Sequence, residues 1–259
     1  MTSGTDPGAR AIVLTFDNLG EASALQRGTW DPDTPLGSDP SVTRALPWLL
    51  DALDTSGLRA TFFVEGINCE LNPEAVRAIS ARGHELGAHG WEHEAWGELD
   101  AGSERELLER ANRAFASLGL SPRGFRPPGG ELTACTPALL RELGFEWCSP
   151  AGAGPPSVED DLVVIPFDWE LVDAYHLMER FADLRERRGD SRAPLGAEAA
   201  GERMAAALGN GGGEGTVIMH PFLMLDAAWR DQVQRLLAHL AALGGVLAGG
   251  DFTRSRVRP

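Results

Sequence analysis

The chain has 259 residues, 43% hydrophobic and 24% charged, enough to bury one large core and unlike a disordered composition. Its formal net charge is −15 and it lacks lysine, so all 23 basic residues are arginines. That balance repels nucleic acid and anionic membrane surfaces, and neither is an expected partner.

Cys69, Cys135 and Cys148 are odd in number and far apart, with no Cys-x-x-Cys pair, which argues against a disulfide framework or a cysteine zinc site. They read as reduced, mostly buried thiols. Residues 1–10 are polar and carry Gly and Pro, with no apolar run of signal-peptide or membrane-span length. The expectation is one catalytic domain over 1–259, flexible at 1–10, located in the cytoplasm. A homo-oligomer is compatible with this composition.

In chain order, residues 11–16 form an apolar, branched run typical of a fully buried strand. Residues 20–39, rich in Gly, Pro, Asp and Thr, predict a long loop carrying Trp30, which either covers a site or is a surface loop whose Trp packs onto the barrel. A helix is predicted from Ser41 as N-cap to Gly57, with Leu46, Leu49, Leu50 and Leu53 on one face. A strand over 60–64 and a helix opened by Asn72-Pro73 and closed at Gly83 follow. Next come a strand over 85–89, a helix over 103–118, a strand over 124–126 and a helix over 136–143. Strands are predicted near 146–149 and 162–167, then a charged, irregular stretch over 175–196 and a helix over 200–208. A Gly-rich connector over 209–215 leads to a strand over 216–219, a helix over 227–243 and a last strand over 246–248. Repeated strand–helix units at this length predict an α/β fold, a parallel (β/α)7-8 barrel, with an open doubly wound sheet as the structural competitor.

Polar residues cluster where those strands end. Asp17 and Asn18 follow the first strand and His89 and His93 the third; Arg126, Asp168 and His220 end later ones. In a barrel all these ends open on one rim, where active sites are built. Two imidazoles four residues apart suit two ligands of a tetrahedral zinc. A carboxylate just past a buried strand is costly unless paired or ligated. Each residue also has a plain reading: Asp17 as a turn cap, Arg126 as a rim salt bridge, His220 as a core histidine, Asp168-Trp169 as an apolar anchor beside a charge. Packing alone does not account for all of them together.

These motifs resemble the polysaccharide deacetylase family, the NodB-homology or carbohydrate esterase 4 group, over residues 11–221. The matching stretches are Leu14-Thr15-Phe16-Asp17-Asn18, Ala60-Thr61-Phe62-Phe63-Val64-Glu65-Gly66, His89-Gly90-Trp91-Glu92-His93, Gly124-Phe125-Arg126-Pro127-Pro128-Gly129, Asp168-Trp169 and Met219-His220-Pro221. The resemblance implies a NodB-type barrel and a divalent metal, zinc, held by His89, His93 and Asn18. It implies Asp17 as general base, His220 as general acid, Arg126 orienting Asp17, and Asp168 fixing Arg126. Trp91, Pro128, Trp169 and Tyr175 are candidate substrate-binding walls.

One departure stands out. The family pattern has two consecutive Asp residues in the first motif, and here the second is Asn18, a neutral ligand; Glu21 or Glu92 are candidates for the missing charge. A branch similar to muramate deacetylases also carries Asp-Asn. The expected activity is hydrolysis of a non-peptide C–N bond, an N-deacetylase acting on an amino sugar or other small saccharide amide. Two alternatives are a cyclic imide or ureide (allantoinase-like) amidohydrolase with weak metal dependence, and a non-catalytic carbohydrate-binding relative.

Overall fold

The computed structural model describes residues 11–210 and 214–257; the N-terminal stretch 1–10 and the middle of the 209–215 connector lie outside the described residues. Nine strands form one sheet: β1 (Ala11–Asp17), β2 (Thr61–Val64), β3 (Glu85–Ala88), β4 (Gly124–Phe125), β5 (Trp147–Cys148), β6 (Ser157–Glu159), β7 (Leu162–Val164), β8 (Glu214–Met219) and β9 (Val246–Leu247). Their order is β6-β7-β5-β4-β3-β2-β1-β8, parallel except for the β6–β7 hairpin. β9 pairs with β1 at Ile12 and Val13, while β2 pairs with it from Thr15 onward. The sheet curls as a distorted barrel. Its two margins approach where Val172 bridges Ile218 and the Thr216 hydroxyl donates to the Pro166 carbonyl at 3.0 Å.

The period of two along each strand divides the side chains cleanly. Ile12, Leu14 and Phe16 of β1, Phe62 and Val64 of β2, and Val217 and Met219 of β8 pack outward in the main core with the helices. The alternate residues point into the barrel, where Val13, Phe63, Trp147, Val163 and Ile165 form a second core closed by Phe252. Gly87 and Gly124 make room for it, since a Cβ at either would overlap the Phe63 or Trp147 ring. Continuing with the same parity past this apolar floor, the inward positions become Thr15 and Asp17, Glu65, His89, Arg126, Ser149, Phe167 and His220. The alternation that builds the floor therefore also aims the polar strand ends into one space.

The helices cover the outside. Leu46, Leu49, Leu50 and Leu53 are buried on one face of helix Leu46–Ser56, each contributing about 1.5–3 kcal/mol by leaving water. Gly57 ends it in the left-handed region at φ 64°. Helices Ala101–Ser117 and Ala227–Leu243 begin at Asp100 and Asp226, whose carboxylates accept from backbone N–H groups of the first turn.

Several elements differ from expectation. Ser41 lies inside a π-helical turn, Ser41–Ala45, and Asp39 takes the capping place by accepting from the Ser41 N–H at 2.7 Å. The β6–β7 hairpin turns through Asp160 and Asp161, both at positive φ, a conformation that Asp tolerates better than most residues. The 175–196 stretch contains the end of helix Asp173–Leu177 and all of helix Ala182–Arg187, and a further helix, Gly249–Val257, follows β9. Among the described residues no helix is long and apolar enough to cross a membrane. All three cysteines are free, Cys69 and Cys148 buried and Cys135 exposed.

Candidate active site

A cavity of about 550 Å³ opens at the C-terminal ends of the strands and is lined by Asp17, Asn18, His89, His93, Arg126 and His220, among others. Positions up to 203 residues apart in the chain (220 − 17) thus share one space.

At its base lies a buried ion pair. One Arg126 nitrogen donates to Asp17 Oδ1 at 2.6 Å and to the Thr15 hydroxyl at 2.7 Å, and the other donates to the Ser149 hydroxyl at 2.8 Å. The guanidinium lies 4.2 Å over the Phe63 ring, and burial lowers its pKa while Asp17 opposes that shift. Beside the pair, Glu65 is fully buried and its carboxyl is pushed up to about 8, chiefly by burial and further by the negative charges of Asp17 and Glu94. Its Oε2 accepts from the Leu19 N–H at 3.2 Å and the Asn68 amide at 3.1 Å. This clamp fixes the chain immediately after Asn18, which sits in the left-handed region at φ 62°.

The His89 Nδ1 donates to the Arg126 carbonyl at 2.8 Å; a carbonyl only accepts, so Nδ1 carries the proton and Nε2 keeps its lone pair. Burial, with smaller contributions from Arg126 and His220, brings the His89 pKa down to about 3. Burial and the neighbouring His89, Arg180 and His220 lower His93 as well. Both imidazoles are therefore neutral, as metal ligands must be, and their ring centroids are 5.0 Å apart. Asn18 Oδ1, in the same cavity, is buried without a hydrogen-bond partner. An orphaned amide oxygen beside two neutral imidazoles fits a divalent cation, which would satisfy it. These residues would offer it two His and one Asn: among the described residues no cluster of three or more His, Cys, Asp or Glu could hold a metal ion. Neither suggested substitute for the missing charge serves. Glu21 Oε1 is engaged by the N–H groups of Gly37, Ser38 and Asp39, and Glu92 does not line the cavity.

His220 meets a partner that sequence reasoning missed. Its Nδ1 donates to Asp173 Oδ1 at 2.5 Å and its backbone N–H to Asp173 Oδ2 at 2.8 Å. Asp173 is completely buried and also accepts from the Ala174 N–H at 2.6 Å. The expected contact between Asp168 and Arg126 does not form. Asp168 is partly exposed, pairs with Arg188 at 2.7 Å and caps the Glu170 N–H, because the segment after β7 faces Phe167 into the cavity and turns its next residue outward. Ser149 takes the place beside Arg126 that was expected for Asp168. The sequence signal for Asp173 was a carboxylate preceding an apolar helical turn with no solvent face to occupy.

Comparison with known proteins bears on the family and the fold. The polysaccharide deacetylase family model matches residues 4–148, more than half of the chain. The chain belongs to the polysaccharide deacetylase family. A Bacillus cereus peptidoglycan-N-acetylglucosamine deacetylase is 32% identical over 111 residues, covering 42% of this chain and 50% of that protein. A Helicobacter pylori peptidoglycan deacetylase is 29% identical over 166 residues, covering 51% and 56% respectively. The chain thus spans about half the length of these curated relatives. Among solved structures, a Mycobacterium smegmatis protein assigned as a polysaccharide deacetylase superposes with TM-score 0.82 at 27% identity, covering 98% of this chain and 92% of that one. Puue allantoinase shares the fold with TM-score 0.74 at 19% identity, covering 96% and 91%.

On this deacetylase scaffold the expected substrate walls divide. Trp169 lines the cavity, stacked edge-on to Phe167 at 5.2 Å. Trp91 does not: it is buried against Ala22 and Ile67, with the Arg110 guanidinium 3.7 Å over its ring. Pro128 is buried behind the lining, where the neighbouring Pro127 takes part instead. Tyr175 is wholly buried and donates to Asp190 at 2.5 Å, behind Trp169 rather than in front of it. Trp30 does not cover the site; its indole N–H donates to the Thr34 carbonyl within its own loop. That loop is fastened by Glu21, whose Oε2 accepts from Asn72 at 2.9 Å.

Proposed function

We propose that this chain is a metal-dependent hydrolase that removes the acyl group from an N-acylated amino sugar or similar saccharide amide. The observation that carries the reading is the meeting, in one cavity, of the Arg126–Asp17 pair, the Asp173–His220 pair and two neutral imidazoles beside the orphaned Asn18 oxygen. His89, His93 and Asn18 would hold the cation, which when bound supplies charge stabilisation for the carbonyl oxygen and lowers the pKa of water.

The remaining chemistry belongs to the chain itself. Arg126 holds Asp17 Oδ1 and leaves Oδ2 available to take a proton from the attacking water. The water oxygen bonds to the amide carbon as that proton transfers. His220, tethered through Nδ1, presents Nε2 to the cavity and gives its proton to the departing nitrogen as the C–N bond breaks. Asp173 compensates the charge the ring carries while both nitrogens are protonated. The products are a carboxylate and an amine, and proton exchange with solvent returns Asp17 and His220 to their starting states.

The test is release of acetate from N-acetylated and N-formylated amino sugars, with and without added zinc, in wild type and Asp17→Asn. Turnover that falls about 10²–10⁴-fold in the variant supports the assignment. Cyclic imides and ureides run in the same screen, and turnover of those alone would replace the sugar reading.

A further inference from the structure

Two of the three residues assigned to the cation sit in a backbone conformation that residues with side chains seldom adopt. Among the described residues four non-glycines have positive φ: Asp160 and Asp161 turn the β6–β7 hairpin, and the other two are Asn18 at 62° and His93 at 74°. Asn and His tolerate that region better than most residues, but it still costs free energy that surrounding contacts must offset. Both strained turns are tied to the same four residues, Glu65-Gly66-Ile67-Asn68, directly after β2.

On one side Leu19, next to Asn18, has both backbone groups taken. Its N–H donates to Glu65 Oε2 at 3.2 Å and its carbonyl accepts from the Asn68 amide at 2.8 Å. On the other side the Gly66 and Ile67 N–H groups donate to the Gly90 and Trp91 carbonyls at 3.0 and 3.1 Å. Glu94 completes that grip, accepting from the Trp91 and Glu92 N–H groups at 2.9 and 2.8 Å. Gly66 is needed for the fit: a Cβ there would lie 2.8 Å from Ala111 Cα and 2.9 Å from the Trp91 ring. Glu65 and Asn68 are fully buried and neither lines the cavity, so they reach no substrate.

Stability alone does not account for this arrangement. Ala22, Ile67 and Trp91 form an apolar cluster at the turn, and apolar packing in place of a buried charged network is often neutral or stabilising. Of the two Glu65 oxygens only Oε2 is engaged, and Oε1 has no hydrogen-bond partner. From Asn68 the hydrogen bonds continue: its Oδ1 accepts from Asn72 at 2.9 Å, Asn72 donates to Glu21, and Glu21 holds the N–H groups of residues 37–39. A continuous buried network thus ends on the residue beside Asn18. Cation affinity depends on the charge of the ligands and on the rigidity of the site. With a neutral amide and two neutral imidazoles, rigidity is the quantity left to the protein.

We infer that Glu65, assisted by Asn68, is a positioning residue for the cation: the 65–68 turn locks Asn18 and His93 in their left-handed conformations before a cation arrives. The inference rests on the ligand set proposed above. It gives Glu65 a geometric role and no share of the ligand charge.

The experiment uses the full chain stripped of metal, with zinc affinity read by competition with a chromophoric chelator and Tm read on the same samples. Glu65→Met keeps the bulk and removes the acceptor, and it should weaken zinc binding by about tenfold, the usual effect of losing a group that orients a ligand. Glu65→Gln, whose amide oxygen can take the place of Oε2, should retain most of the affinity. Asn68→Ala frees the Leu19 carbonyl and should weaken zinc in the same direction; it carries the test should Glu65→Met fail to fold. Leu53→Ala, in the core and away from the cavity lining, should lower Tm and leave zinc affinity unchanged. Equal weakening in Glu65→Gln would assign the effect to charge, and equal weakening in Leu53→Ala would assign it to lost stability; either overturns the positioning role. Unchanged affinity in Glu65→Met, or in Asn68→Ala where that stands in, overturns it too, and leaves the ligand set standing if His93→Ala still weakens zinc binding. Affinity that His93→Ala does not move would remove the ligand set and the inference with it.

Discussion

The two sides of the cavity are built in opposite ways. The strand side sets buried groups against buried groups: Arg126 against Asp17, Thr15 and Ser149, and His220 against Asp173. The 168–192 side meets solvent, and its ion pairs Arg188–Asp168 and Arg192–Asp183 are partly exposed. Charges in the first setting are costly to disturb, because removing one partner strands the other in a low-dielectric interior. Those in the second are screened and contribute about 0–1 kcal/mol each. The difference separates a strand side locked by buried pairs from a wall whose pairs are screened by solvent.

The sharpest way to break this comparison is Asp173→Asn. An amide N–H facing Nδ1 opposes the doubly protonated ring, so kcat/KM should fall about 10²–10³-fold, mostly through kcat. A variant that loses stability but keeps its kcat would show that Asp173 is only a structural strut. Arg126→Met comes next: it strands Asp17, and the expected loss is about 3–5 kcal/mol of stability by denaturant melt, together with activity. Retention of wild-type stability would mean that the pair is not isolated from water. Asn18→Asp adds an anionic oxygen where a neutral one is orphaned. Zinc affinity, measured by competition with a chelator, should tighten by about tenfold, and unchanged affinity would remove Asn18 from the ligand set.

Two smaller effects test the electrostatics. Glu65 is held near 8 by burial against an ordinary value of 4.5, so the unfolded chain gives up this proton first as pH rises. The stability it contributes is complete below 4.5 and is lost as pH climbs through about 8. Glu65→Gln should flatten the decline in Tm over that window; a decline that persists would assign it to another group. His89 works in the opposite sense. Its stability contribution is complete above 6.5 and is lost as pH falls towards about 3. Smallest of all, Asp168→Asn should change kcat/KM by no more than about twofold, since it breaks only a partly exposed pair. A loss of several hundredfold would restore Asp168 to the catalytic group.

The strand side was largely legible from sequence because strand parity is a hard rule. Once residues 11–16 read as a strand, Asp17 had to fall on the same face as Val13 and Thr15, and the same count places His89, Arg126 and His220. What sequence could not supply was pairing. Asp168 and Asp173 are both acids near Trp169, and only the turn at Trp169–Leu171 decides that the second, not the first, faces inward. The aromatic walls failed for a related reason: Trp91 and Tyr175 are as suited to a core as to a pocket, and tertiary packing put both in the core. The pairs Arg188–Asp168 and Arg192–Asp183 were equally invisible, because pairing within 175–196 depends on helix faces that its charged, aperiodic sequence does not reveal.

The position of β1 has a consequence for how the molecule is made. This first strand is flanked by β2 on one side and β8 on the other, and the Thr15 hydroxyl donates to Val217, 202 residues further along. During synthesis its outer margin stays bare until residues 214–247 have emerged, since β8 and β9 follow all the other strands. Ring closure of so long a span is slow, and an open strand margin attracts other chains in the meantime. Asp17 sits at the end of that strand, so the base proposed above is not held in place until β8 docks.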